Sequence, residues 1–103
     1  MSAINGTYLK GKGYTPIYVC ATFHSGYEYP LTINGAGLSF ETAMEYAETV
    51  INSYLNKTAP GGGNVWDIDV ENENGDNYQC VLISKFNYEN VVIRVSKCAL
   101  MHS

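Results

Sequence analysis

A chain of 103 residues, 46% hydrophobic and 13% aromatic, predicts one globular domain over 1–103 that buries roughly two-thirds of its unfolded surface. Its formal net charge of −4 excludes a general nucleic-acid binder, which carries a basic footprint to neutralise phosphates. The imbalance is local: between Glu41 and Asp76 eight acids face one base, Lys57, which gives −7 there and +3 elsewhere and favours a basic partner surface.

The opening Met1-Ser-Ala-Ile-Asn-Gly has no charged start followed by an apolar run, so no secretory signal is expected, and no stretch approaches a membrane span. Ile4 to Leu9 fits a short strand. Tyr14 to Phe23, rich in β-branched and aromatic residues, predicts a longer one, ended by a turn at His24-Ser25-Gly26. Tyr27 to Ile33 alternates Tyr27, Tyr29, Leu31 and Ile33 against polar positions and completes a hairpin. Pro30 cannot donate to a ladder, so this strand is expected to lie at a sheet edge or to break there. Asn34-Gly35-Ala36-Gly37 reads as the turn into the next element.

That element is a helix over Phe40 to Leu55, where Phe40, Ala43, Met44, Ala47, Val50, Ile51, Tyr54 and Leu55 recur at helical spacing. Ser39 is its N-cap, and Glu41 in the first turn complements the helix dipole. Thr58-Ala-Pro-Gly-Gly-Gly-Asn is a breaker and connector. Strands follow at Asn64 to Glu73, Tyr78 to Lys85 and Val91 to Ala99, with turns at Asn74-Gly75 and Asn87 to Asn90. The order predicts an α+β fold, a single helix packed on a mainly antiparallel sheet of about five strands.

Val65-Trp-Asp-Ile-Asp-Val-Glu-Asn-Glu73 is the most distinctive segment, because period two puts Asp67, Asp69, Glu71 and Glu73 in one line and Trp66, Ile68 and Val70 on the other face. A three-residue loop, Asn74-Gly75-Asp76, pairs Val70 with Cys80 and Ile68 with Leu82 and gives a clean apolar core face. Gln79, Val81 and Ile83 then flank the acids on an uncovered face, away from the helix acids Glu41, Glu45 and Glu48. One charge per ~6.6 Å of strand is sparse against one per ~1.7 Å of duplex, which favours docking on a basic protein patch over imitation of DNA.

Catalytic and metal chemistry are weaker readings. Cys20 and His24, like Cys98 and His102, are four residues apart, which along a strand is about 13 Å and beyond hydrogen-bond reach. Cys20, Cys80 and Cys98 lie in apolar runs without metal-ligand spacing and are expected to be buried, reduced thiols. Carboxylates two residues apart on a strand do not converge into a cation shell, and neither Gly11-Lys12-Gly13 nor Gly61-Gly62-Gly63 continues into a phosphate-binding sequence. Two lysines, Lys10 and Lys12, are too few for a nucleic-acid site beside Tyr8 and Tyr14. The nine tyrosines favour a contact surface, and Tyr46, at the margin of the helix's apolar stripe beside Thr42 and Thr49, is expected to be partly exposed.

The pattern of a small acidic domain, with Ser39-Phe-Glu-Thr-Ala-Met-Glu-Tyr-Ala-Glu opening the only helix, resembles the small α+β proteins that phages encode to block host defence, anti-CRISPR proteins in particular. The resemblance lies in architecture and charge and carries over no individual residue. It implies stoichiometric inhibition by occupying a nucleic-acid-binding or protein-docking surface of a Cas complex.

Together these readings predict a non-enzymatic cytoplasmic inhibitor that meets the basic surface of a Cas or other nucleic-acid-handling protein through Asp67, Asp69, Glu71, Glu73, Val81, Tyr46 and Glu45. It is expected to use no catalytic residue, metal or cofactor and to make no direct contact with nucleic acid or membrane. Dimerisation through exposed strand edges stays open. The alternative is a small-ligand or nucleotide-binding protein with a tyrosine-lined pocket beneath Gly61 to Gly63.

Overall fold

The computed structural model describes residues 14–26, 28 and 31–101. The expected strand at Ile4 to Leu9, the Lys10/Lys12 spot, Tyr27, Tyr29, Pro30 and His102 lie outside them. The described elements are β1 (Tyr14–His24), β2 (Leu31–Gly37), α1 (Phe40–Leu55), β3 (Trp66–Asn74), β4 (Asn77–Ser84) and β5 (Asn90–Met101). The strands form one five-stranded sheet in the order β2-β1-β5-β4-β3, antiparallel at every junction. With α1 packed on one side, this is the α+β arrangement expected. No helix among the described residues is long and apolar enough to cross a membrane.

The helix occupies the predicted residues because its signals are local. Ser39 is extended, and its Oγ accepts the Thr42 backbone N–H at 3.2 Å. Ala43, Ala47, Ile51 and Tyr54 face the sheet, the two alanines letting the helix backbone approach closely. Beneath them lie Cys20 of β1, Tyr78, Cys80 and Leu82 of β4, and Val91, Ile93 and Val95 of β5. Each large aliphatic side chain fully buried there contributes about 1.5–3 kcal/mol. Since α1 leaves β2 at one edge and the chain re-enters the sheet at the opposite edge, the helix lies over β2, β1 and β5 and scarcely reaches β3.

β2 departs from its expected place. The strand starts at Leu31 and runs through Asn34-Gly35-Ala36-Gly37, which the sequence reads as a turn. The glycines serve packing instead: a Cβ at Gly35 would stand 2.6 Å from the Tyr46 ring, and one at Gly37 would stand 2.6 Å from the Thr42 methyl. Asn34 sits at a bulge between the Cys20 and Ala21 pairings, and its Oδ1 accepts the Thr22 hydroxyl at 2.7 Å. The strand is at an edge, as expected.

The β3–β4 hairpin also differs. Its turn is Gly75-Asp76, with Gly75 at φ 62° and Asn74 paired to Asn77. Val70 therefore opposes Val81, not Cys80, while Ile68 opposes Leu82 as expected. Asp69 is the extra residue of a bulge that reconciles the two registers. Trp66 is buried, but Ile68 and Val70 remain 46% and 42% exposed, Ile68 because α1 stops short of β3 and Val70 because the bulge turns it to the other face.

One cysteine expectation is overturned. Cys20 and Cys80 are buried and free, whereas Cys98 is exposed. Along β5, Val91, Ile93 and Val95 take the helix side, which leaves Val92, Arg94, Ser96 and Cys98 on the uncovered face.

Candidate functional site

The bulge at Asp69 divides the acidic segment. Residues directly opposite in an antiparallel pair share a face. Asp67, opposite Ile83, lies on the uncovered face, whereas Glu71 opposite Cys80 and Glu73 opposite Tyr78 lie on the helix side. The expected single line of four carboxylates does not exist: the acids flank both faces of an exposed edge strand, with Asp69 at the crossover. The expected separation from the helix acids fails with it, since Glu71 and Glu73 share the α1 side of the sheet.

The acids differ in what they hold. Asp67 pairs with Lys85 at 3.6 Å, both groups half-exposed, an ion pair of about 0–1 kcal/mol. Glu71 accepts the Tyr78 hydroxyl at 2.5 Å, and burial together with this bond pushes the phenol well above its usual range. Asp76 in the turn accepts the Tyr18 hydroxyl at 3.0 Å and faces Lys97 at 3.5 Å. That hydrogen bond is the main reason the Tyr18 phenol is raised, and the field of Glu41 reaches the same group. Asp69 and Glu73 make no hydrogen bond or ion pair among the described residues, so their charges are available to a partner.

The uncovered sheet face carries an unanticipated feature. Leu31, Phe23, Val92, Val81 and Val70 are opposite one another in turn, so one apolar row crosses all five strands. Leu31 and Phe23 are 63% and 44% exposed. The next row is Ile33, Ala21, Arg94, Gln79 and Asn72. Arg94 donates through Nε and Nη2 to Gln79 Oε1 at 3.1 and 2.5 Å and has no carboxylate partner among the described residues. Phe23, Leu31, Ala21, Val92 and Arg94 border a shallow groove of about 370 Å³. Val81 is the one member of this row that the sequence placed at the contact surface; Val70 was expected on the core face. The others were hidden because the row follows register between strands distant in the chain, although the alternation of Val92, Arg94 and Ser96 was visible.

Tyr46 and Glu45 belong elsewhere. Tyr46, 41% exposed, lies over Gly35 of β2, with three strands between it and β3. The seven predicted contact residues thus form no single surface: Asp67, Asp69, Glu71 and Glu73 with neighbouring Val81 lie at the β3 edge, Tyr46 lies over β2 at the opposite edge, and Glu45, midway between the sheet-facing Ala43 and Ala47, is exposed on the helix.

A polar recess of about 240 Å³ lies between β1, β2 and the second half of α1, lined by Thr22, His24, Thr32, Asn34, Ser53 and Tyr54 with Val50. His24 is buried at 4% exposure, accepts the Gly26 N–H at 3.2 Å through Nδ1 and stands edge-on to Trp66. Gly61 to Gly63, expected to roof a pocket, have open space where their Cβ atoms would be and border none of these cavities.

Cys20 donates toward Asn34 Oδ1 at 3.7 Å, and burial raises its thiol pKa, which disfavours the nucleophilic thiolate. Burial raises Cys80 likewise. No three His, Cys, Asp or Glu side chains converge on a common point among the described residues. No family model, characterised protein or solved structure matches the chain.

Proposed function

We propose that the protein acts by stoichiometric binding, setting its acidic sheet edge against a basic patch of a nucleic-acid-handling protein, as an anti-CRISPR-like inhibitor in the cytoplasm. The observation that carries this reading is the β3 edge, exposed from Asp67 to Asn74, with carboxylates on both faces and two of them, Asp69 and Glu73, unpaired. A basic groove can close over such an edge from both sides. With the acids split between faces, each face is sparser in charge than a single ~6.6 Å line and farther from the ~1.7 Å spacing of a duplex, which supports a protein patch as the target. Val70 and Val81 offer apolar contact beside Asp67. The test is affinity capture on purified Cas effector complexes with wild-type protein and the Asp69→Lys/Glu73→Lys variant. Neither residue has a partner to lose among the described residues, so the fold should persist and affinity should drop at least tenfold. Equal affinity of the two proteins would refute the acidic edge as the docking surface.

The polar recess around His24 supports a second reading, binding of a small polar ligand. Native mass spectrometry of freshly purified protein should then reveal a bound metabolite that Ser53→Leu abolishes.

A further inference from the structure

The uncovered face of the sheet sets an apolar groove against a guanidinium, and we infer that this groove binds a medium-chain carboxylate, its hydrocarbon chain along the apolar row and its head on Arg94. The groove of about 370 Å³ runs over Val92 of β5, Phe23 of β1 and Leu31 of β2, with Arg94 at its margin. Its volume falls among those of small-molecule sites. Beyond Arg94 lies a polar recess of about 290 Å³, bordered by Asn72, Asn77, Gln79 and Ser96. Arg94 therefore stands where an oily surface gives way to a polar one, the position that suits the charged head of an amphiphile.

Charge and shape both select this occupant. One N–H on Nε and one on Nη2 donate to Gln79 Oε1, which fixes the plane of the guanidinium. Nη1 and the second N–H of Nη2 have no acceptor among the described residues, and such an end-on pair of donors matches the two oxygens of a carboxylate. No acid on the strands competes from the same face: Asp67 is engaged by Lys85, Glu71 and Glu73 lie on the helix side, and Asp69 sits at the bulge of the edge strand. Along β5 the apolar surface is Val92 alone, between Asn90 and Arg94, which admits a slim hydrocarbon chain and not a broad apolar protein surface. From Val92 to Leu31 is two strand spacings, about 10 Å. That is the span of roughly nine carbons at the ~1.2 Å per bond of an extended chain.

Titration of the full chain with sodium decanoate below its micellar concentration, followed by proton-nitrogen correlation NMR, is the test. Saturable shifts are expected at Ala21, Phe23, Leu31, Val92 and the Arg94 Nε–H. Decylamine, with the same chain and the opposite charge, should bind roughly tenfold more weakly or worse. Arg94→Gln should weaken decanoate by a similar factor with an unchanged circular-dichroism spectrum, and Leu31→Gln, at the far end of the groove, should weaken it independently of the head group. If Arg94→Gln fails to fold, the ratio of decanoate to decylamine affinity on the wild type decides the matter. The Asp69→Lys/Glu73→Lys variant should bind decanoate as the wild type does, which separates this site from the acidic docking edge. Shifts that do not saturate or that gather around His24, equal affinity for the two amphiphiles, or undiminished binding by a folded Arg94→Gln would overturn the inference. So would a face already covered by a second copy, seen as concentration-dependent broadening of these resonances with no response to decanoate.

Discussion

The hydrogen bond from Tyr78 to Glu71 distinguishes the bulged hairpin from a regular one, and a double-mutant cycle can measure it. Were the ladder unbroken, Glu71 would stand beside Asp67 in water; with the bulge it meets a tyrosine that is 5% exposed. Removing the carboxylate by Glu71→Ala leaves a buried hydroxyl without its acceptor, a loss of about 1–3 kcal/mol. The Glu71 side chain is itself exposed and easily rehydrated, so the lower half of that range, about 1–2 kcal/mol, is expected. Tyr78→Phe removes the hydroxyl and frees the carboxylate to water, and should cost less. Adding Glu71→Ala to Tyr78→Phe should then cost little more, giving a coupling of about 1 kcal/mol. Urea unfolding at neutral pH followed by tryptophan fluorescence reads all four stabilities, since Trp66 is buried in the same sheet. A coupling indistinguishable from zero would mean that Glu71 does not face Tyr78, and the division of the acids between faces would fall.

The same pair makes stability depend on pH. The folded phenol of Tyr78 is raised above its ordinary 10.0, so the folded chain keeps a proton that the unfolded chain releases; its contribution is full below that pH and declines as pH rises, and Tyr78→Phe should flatten the decline in urea midpoints. Gly35→Ala should destabilise by about 1–3 kcal/mol through its clash with Tyr46, yet in a Tyr46→Ala background the same change should be neutral or stabilise by about 0.4–1 kcal/mol; an unchanged cost would show that the ring does not lie on β2. Native-state alkylation followed by mass spectrometry should label Cys98 rapidly and Cys20 and Cys80 only on unfolding. Leu82→Ala, at a fully buried position, should cost about 2–5 kcal/mol in the same urea assay.

What the sequence discloses about this fold tracks how local each signal is. The helix boundaries follow from a cap and an apolar stripe within its own residues, and they agree with the structure at both ends. The core faces of β4 and β5 follow from alternation, so Cys80, Leu82, Ile93 and Val95 were accessible to reading. Gly35 and Gly37 were not, because glycine signals a turn and an absent side chain in the same letters; only the arrival of Tyr46 and Thr42 selects the second meaning. The bulge was equally hidden. Asp-Ile-Asp-Val keeps period two straight through it, and the break exists only in the pairing with β4. For the candidate site, this meant that the acidic composition of the edge was legible while the direction of each carboxylate was not.

The place of β5 has a consequence for how the chain acquires its structure. It is the last described strand and also the central one, pairing with β1 from Tyr14↔Met101 to His24↔Val91 and with β4 on its other side. Until it arrives, β1–β2 and β3–β4 are two separate hairpins, and isolated hairpins are marginal in water. Folding is therefore a late closure. The strand that supplies Val91, Ile93 and Val95 must join both hairpins at once, at the large loop-closure cost that makes non-local sheets slow to form. During synthesis β1 waits with one side unpaired until the rest of the sheet has been made.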